Sequence, residues 1–117
     1  MEDYRQEVME TAAGILGELS SPQSKLLLYI VEGVCMRMDR RLKQGISNAA
    51  CRNAYIAACA MYAVSYLRGT DREMLSAFTA GTLSLNFEES NSSLTRLADE
   101  LMEPWLDTPA IFRGVKV

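Results

Sequence analysis

The side chains that could perform acid–base chemistry in this chain are mainly carboxylates, because the sequence contains no histidine. Two adjacent acidic pairs stand out, Glu88-Glu89 and Asp99-Glu100. Two carboxylates share acid and base roles only when they face each other, whereas neighbours on a helix point about 100° apart. Solvated surface is the simpler interpretation of both pairs, and an unmarked carboxylate site is the enzymatic alternative. Motifs for a nucleophile, a phosphate loop or a dinucleotide are missing, so we predict no catalytic residues, metal ligands or cofactor.

Three cysteines, Cys35, Cys51 and Cys59, are the remaining candidates for covalent chemistry. An odd number of cysteines without a CxxC spacing favours reduced thiols over a disulfide framework. A reactive thiol is usually activated by a neighbouring base, and this chain has no histidine to serve as one. Because all three lie in apolar stretches with helical spacing, we predict that they are small buried core residues.

A cluster of basic side chains in the middle of the chain is the main candidate for binding. Its members are Arg37, Arg40, Arg41 and Lys43. One interpretation is that these cations complement the dipole at the end of a helix. Another is a subunit interface, since residues 1–20 carry a balance of −4, residues 21–70 one of +5 and residues 71–117 one of −4. DNA binding is the third, although a net charge of −3 does not favour general nucleic-acid binding.

Helical periodicity supplies the elements that would position these side chains. Apolar residues recur at steps of three and four along most of the chain. Ser21 is a plausible N-cap before Pro22, and Gly45 suits a left-handed C-cap. Pro104 should end or kink the last helix. We predict helices over residues 2–19, 22–43, 47–68 and 93–103, and one or two helical turns over residues 72–78.

The apolar stripe of each predicted helix indicates which face should be buried. In the second helix the stripe consists of Leu27, Ile30, Val31, Val34, Met38 and Leu42. In the last helix it consists of Leu94, Leu97, Ala98, Leu101, Met102 and Trp105. We expect Trp105 to anchor the last helix in the core, because it ends that stripe.

The third helix is predicted to be the central one. It contains seven alanines between Ala49 and Ala63, and small side chains let helix backbones approach closely. A bulkier stripe runs along the same helix, formed by Tyr55, Cys59, Tyr62 and Tyr66. We expect this stripe on a partly wet face, with the tyrosine hydroxyls reaching polar partners.

Two segments depart from the helical pattern. Leu83, Leu85 and Phe87 alternate with polar residues, which is typical of a strand. A single strand pairs either locally or with a neighbouring subunit, and the alternation does not decide between the two. Residues 107–117 indicate an extended tail whose apolar end should dock onto something. The sequence therefore predicts one mainly α domain over residues 1–117, with a helical core over 1–106 and a tail over 107–117.

The ends and the hydropathy of the chain bear on its location. The N-terminus is acidic and lacks the basic and apolar regions of a signal peptide. Its apolar runs fall short of the roughly 20 residues that cross a bilayer. We therefore expect cytoplasmic synthesis and no membrane partner.

Several segments, taken in order, resemble a known family. They are RRLKQG at 40–45, an alanine-rich helix containing Cys51, SAFTAGTLSL at 76–85, LMEPWL at 101–106 and IFRGVK at 111–116. This order is similar to the small head–tail connector, or head-completion, proteins of tailed bacteriophages and prophages. In that family a segment of type SFxAGxVSV precedes a helix ending in a leucine–alanine–proline–tyrosine-like motif, and a phenylalanine–arginine–glycine–valine-like tail follows. Here tryptophan follows the proline, and leucines replace the common valines.

The resemblance implies a structural protein without enzymatic activity. It implies a helical bundle that assembles as a ring below the portal, extends the DNA channel and joins head to tail. The implied partners are further copies of the chain, the portal protein and tail-side completion proteins, with DNA passing through without sequence-specific binding. The implied locations are the host bacterial cytoplasm during assembly and the head–tail junction of the virion. The implied contact residues are Phe78, Leu83, Leu85, Phe87, Ile111, Phe112, Arg113 and Val115.

An alternative interpretation is a small helical adaptor or DNA-binding regulatory protein. Such a protein would need a recognition helix, and the basic helix end over residues 37–43 is the candidate for it.

Overall fold

The computed structural model describes residues 1–70, 72–81 and 92–107. Within these ranges the helices are α1 (Arg5–Leu16), α2 (Ser21–Arg41), α3 (Arg52–Arg68), α4 (Arg72–Thr79) and α5 (Ser93–Met102). Short 3-10 turns span Asn48–Cys51 before α3 and Glu103–Trp105 after α5. The predicted mainly α fold is confirmed. The predicted strand at residues 83–87 and the tail beyond Asp107 lie outside the described residues.

Side-chain caps fix where α2 and α5 begin. The Ser20 hydroxyl accepts a hydrogen bond from the Gln23 amide at 3.2 Å, and the Gln23 side chain accepts one from the Ser20 amide at 2.9 Å. The prediction that Ser21 is the N-cap was therefore wrong by one residue, because a cap at Ser20 places a glutamine where it can return the bond. Ser92 and Thr95 form the same reciprocal pair at the start of α5.

The end of α2 is set by a contact with a distant part of the chain. Leu42 is extended and forms an antiparallel bridge with Leu106. The Lys43 amide donates to the Trp105 carbonyl at 2.9 Å, and the Asp107 amide donates to the Arg41 carbonyl at 2.8 Å. This pairing replaces the final helical turn that was predicted to reach Lys43. Gly45 lies in the turn that follows, with φ of +86°.

The core is built around α3, which packs against α1, α2 and α5. This confirms the central position predicted from its alanines, of which Ala58, Ala60 and Ala63 are fully buried. All six predicted stripe residues of α2 are buried as well. The shorter α4 packs on α2. No helix in the described parts of the chain combines the length and apolar character needed to cross a bilayer.

Two of the predicted faces differ from the observed ones. The stripe of α3 is not partly wet, because Tyr55, Cys59 and Tyr62 are buried between helices. The expectation that these tyrosines reach polar partners is nevertheless confirmed, since the Tyr55 hydroxyl donates to the Cys35 carbonyl at 3.3 Å. All three cysteines are buried and unoxidised, as predicted.

The stripe of α5 is only half covered. Ala98 and Met102 are fully buried, whereas Leu97 and Leu101 remain 50% and 39% exposed. Trp105 is half-buried against the core, so its predicted role as a fully buried anchor was wrong. The cause is that α5 contacts α3 through one narrow face, and its remaining apolar residues lie beyond that contact.

Candidate interaction surfaces

A three-residue polar cluster ties α2, α3 and α5 together. Arg41 Nη1 donates to Asp99 Oδ1 at 2.9 Å and to the Tyr62 hydroxyl at 3.1 Å. The Tyr62 hydroxyl donates to the same carboxylate oxygen at 2.5 Å. We refer to Arg41, Tyr62 and Asp99 as the Arg41 clamp. One of the four basic candidates is thus engaged inside the subunit rather than offered to a partner.

The clamp lies in a partly dehydrated position, which shifts the protonation of its members. Burial raises the pKa of Tyr62 to about 12, and the hydrogen bond to Asp99 adds to this effect. Burial alone would lower the pKa of Arg41, but the attraction of Asp99 outweighs it and the net direction is upward. Arg41 therefore stays charged and Tyr62 neutral at physiological pH, which keeps all three hydrogen bonds in place.

The other three basic candidates do not form one patch with Arg41. Arg40 and Lys43 are exposed near the end of α2. Arg37 is half-buried and lines a small pocket beside Tyr62 and Tyr66. The predicted shared face of Arg37, Arg40 and Arg41 therefore divides, and Arg40 with Lys43 provides the accessible positive charge of this region.

Phe78 is the one predicted contact residue that lies within the described ranges. Its ring lies 5.6 Å from the ring of Tyr29, at an interplanar angle of 45°. It is half-buried and packs α4 onto α2. The other predicted contact residues lie outside the described residues: Leu83, Leu85, Phe87, Ile111, Phe112, Arg113 and Val115.

Two surfaces that were not predicted carry apolar side chains in contact with solvent. On α5, Leu97 and Leu101 lie one helical turn apart, with Glu100 and Pro104 exposed beside them. We call these four residues the α5 outer face. The sequence held a signal for it, because the predicted apolar stripe of α5 is wider than one helix contact can cover.

The second surface lies on the side of α2 that points away from α3. Met36 is 57% exposed and Tyr29 is 39% exposed, and the spacing of seven residues puts both on one side of the helix. Arg40 follows Met36 by one turn on the same side and is exposed. We call Tyr29, Met36 and Arg40 the α2 outer face.

The N-terminus is held by a residue that sequence reasoning missed. Asn48 is fully buried; its Nδ2 donates to the Glu2 carbonyl at 2.8 Å and its Oδ1 accepts from the Glu2 amide at 3.0 Å. These partners are 46 positions apart in the chain, so no local pattern marks them. The start of the chain is thereby fixed over the beginning of α3.

The acidic side chains of the N-terminal region are partly neutralised within the subunit. Arg5 pairs with Asp3 at 2.9 Å and with Glu32 at 3.5 Å, and Arg52 lies 3.9 Å from Glu7. The side-chain hydrogen bond from Arg5 holds the pKa of Asp3 down at about 2. These pairs weaken the idea that α1 presents an unpaired acidic surface to the basic cluster.

The carboxylate pairs offer no shared geometry for catalysis. Asp99 points into the Arg41 clamp, whereas Glu100 is exposed, and Glu88-Glu89 lies outside the described residues. In the described ranges, no three side chains of the histidine, cysteine or acidic types meet as a metal site. The surfaces above therefore suit binding to another macromolecule. No family model, curated protein or solved structure matches this chain significantly.

Proposed function

We propose that this chain is a structural subunit of a tailed-phage or prophage head–tail junction, a connector that assembles as a ring below the portal. The proposal is carried by the ordered segments at residues 40–45, 76–85, 101–106 and 111–116, which resemble the connector family. The subunit would contact further copies of itself, the portal and tail-side proteins, while DNA passes through the ring.

A contact between two of these segments supports the proposal. Residues 40–45 and 101–106 are far apart in the sequence, yet Leu42 and Leu106 pair directly. The Arg41 clamp holds the same two helix ends together a short distance away. The motifs thus form one structural unit, and that unit fixes Asp107, from which the C-terminal segment continues. A rigid exit point suits a segment that reaches another protein.

The test is the mass of the purified chain by light scattering across concentration, with negative-stain microscopy of the same fractions, followed by a portal pull-down. Deletion of residues 111–117 should leave the helical signal unchanged and abolish portal binding. Glu18→Ala is a matched surface control, because Glu18 is exposed and lies outside every motif. A full-length chain that neither forms rings nor binds the portal would exclude the connector function. A truncated chain that unfolds would assign the tail to the core.

The second candidate is a small helical adaptor or DNA-binding regulatory protein. It is favoured by one observation, the exposed charges of Arg40 and Lys43 at the end of α2. Binding through phosphate contacts would weaken as salt rises, with a slope of about 0.9 per contact in a double-logarithmic plot. A salt-dependent affinity that is lost in the Arg40→Ala/Lys43→Ala variant, but kept in Arg68→Ala, would favour this function over the connector.

A further inference from the structure

We propose that the α5 outer face of one subunit binds the α2 outer face of the next subunit. The inference rests on the proposed ring assembly and assigns the surfaces that form it. It names a second copy of this chain as the partner of both faces, and it uses only residues whose positions the structure gives.

Apolar exposure is the first observation behind this assignment. Leu97 and Leu101 on α5, and Met36 and Tyr29 on α2, are four of the seven large apolar side chains that remain exposed in the described ranges. Each pair lies along one side of its helix, so each forms a continuous strip rather than scattered contacts. Strips of this kind are buried when two helices pack side by side.

Charge is the second observation, and it distinguishes the two faces. The α5 outer face carries Glu100, with the exposed Glu103 beside it. The α2 outer face carries Arg40, with the exposed Lys43 just beyond the helix. The acidic Glu32 on α2 is partly neutralised by Arg5 at 3.5 Å. An acidic apolar strip thus faces a basic apolar strip, and such complementarity selects partners and fixes their orientation.

The charges also decide the symmetry of the contact. Pairing α5 with α5 would bring acidic residues together, and pairing α2 with α2 would bring basic residues together, so each face is unsuited to its own copy. A contact between unlike faces leaves one free face of each kind on every dimer. Such heterologous contacts continue until they close into a ring, or extend as a filament if the rotation does not close.

The test uses two variants that each disable one face. Met36→Glu places an acid against the acidic α5 outer face, and Leu97→Glu adds an acid to α5 while leaving α2 intact. Both positions are exposed, so the fold should survive, which circular dichroism would check. Ile15→Glu is the matched control, because Ile15 is 48% exposed and lies on α1, away from both faces.

Sedimentation velocity should show multimers for the parent and for Ile15→Glu. Met36→Glu and Leu97→Glu should each lose affinity for their own copies by at least about tenfold. An equimolar mixture of the two variants should form dimers and go no further, since it retains one intact face of each kind per pair. A contact between like faces predicts instead that one variant still pairs with itself.

Two outcomes would overturn the assignment. Rings that are unaffected by both variants would show that other surfaces form the ring, and the connector function would stand without this contact. A parent chain that stays monomeric at every concentration would exclude the contact as an interface in solution, and the portal pull-down would then decide the connector function separately.

Discussion

The helices α2 and α5 both have a regular apolar stripe, but they use it differently. Every predicted stripe residue of α2 is buried, from Leu27 to Leu42. On α5 two of six are fully buried, and Leu97 and Leu101 lie at the surface. α2 lies between α3, α1 and α4, whereas α5 contacts mainly α3. The number of helices around a stripe, and not its regularity, therefore determines how much of it contributes to stability.

This difference separates two uses of apolar residues. Burial inside the subunit contributes to folding, at roughly 25 cal/mol per Å² of apolar surface. Apolar surface left exposed contributes little to folding but is available to a partner. The α5 outer face belongs to the second kind, and the substitutions below measure how sharply the two helices differ.

The largest effect is expected for Ile30→Ala in α2. Ile30 is fully buried in the centre of the stripe, so its replacement removes apolar contacts and leaves a cavity. We expect the free energy of unfolding to fall by about 2–5 kcal/mol. Urea denaturation followed by circular dichroism measures this loss, and a change below about 0.5 kcal/mol would contradict the assignment of α2 to the core.

Sequence patterns predicted the α2 side of this comparison better than the α5 side. A spacing of three and four identifies a helix and its apolar face, which is why the α2 stripe and the central α3 were found. It does not reveal how many neighbours cover that face, so Leu97, Leu101 and Trp105 were assigned to the core. The polar ties were invisible for the same reason, because Arg41 and Asp99 are 58 positions apart.

Trp105→Ala should have the next largest effect. A fully buried tryptophan costs about 3–5 kcal/mol when replaced by alanine. Trp105 is half-buried, so we expect a loss of about 1–3 kcal/mol in the free energy of unfolding, smaller than that of Ile30→Ala. The same urea experiment measures it. A loss equal to or above that of Ile30→Ala would show that α5 is anchored as firmly as α2.

Tyr62→Phe tests the polar link between the two helices. The substitution removes the hydroxyl from the Arg41 clamp but leaves the 2.9 Å pair between Arg41 and Asp99. We expect a loss of about 1 kcal/mol at neutral pH, the typical net value of a hydrogen bond. Tyr29→Phe is the control, because Tyr29 lies outside the clamp.

The same variant has a pH signature. The pKa of Tyr62 is raised from its ordinary value of 10.0 to about 12 by burial and by Asp99. The stabilising contribution is therefore fully present below pH 10.0 and is lost as the pH rises through about 12, since the unfolded chain ionises first. Burial raises the pKa of Cys59 and Tyr55 too, so the parent also loses stability for other reasons at high pH. The difference between parent and Tyr62→Phe should shrink across this interval, and a constant difference would place the hydroxyl outside the clamp.

Leu97→Ala should have the smallest effect on folding. Leu97 is half exposed on the α5 outer face, and substitutions at such positions usually change stability by less than about 0.5 kcal/mol. It is matched to Ile30→Ala, because both remove a branched aliphatic side chain from a helix. Unfolding by urea at low protein concentration isolates the single subunit from any association. A loss of about 2 kcal/mol or more would mean that Leu97 is covered within its own chain. That result would remove the contrast between α2 and α5, together with the surface that the proposed subunit contact requires.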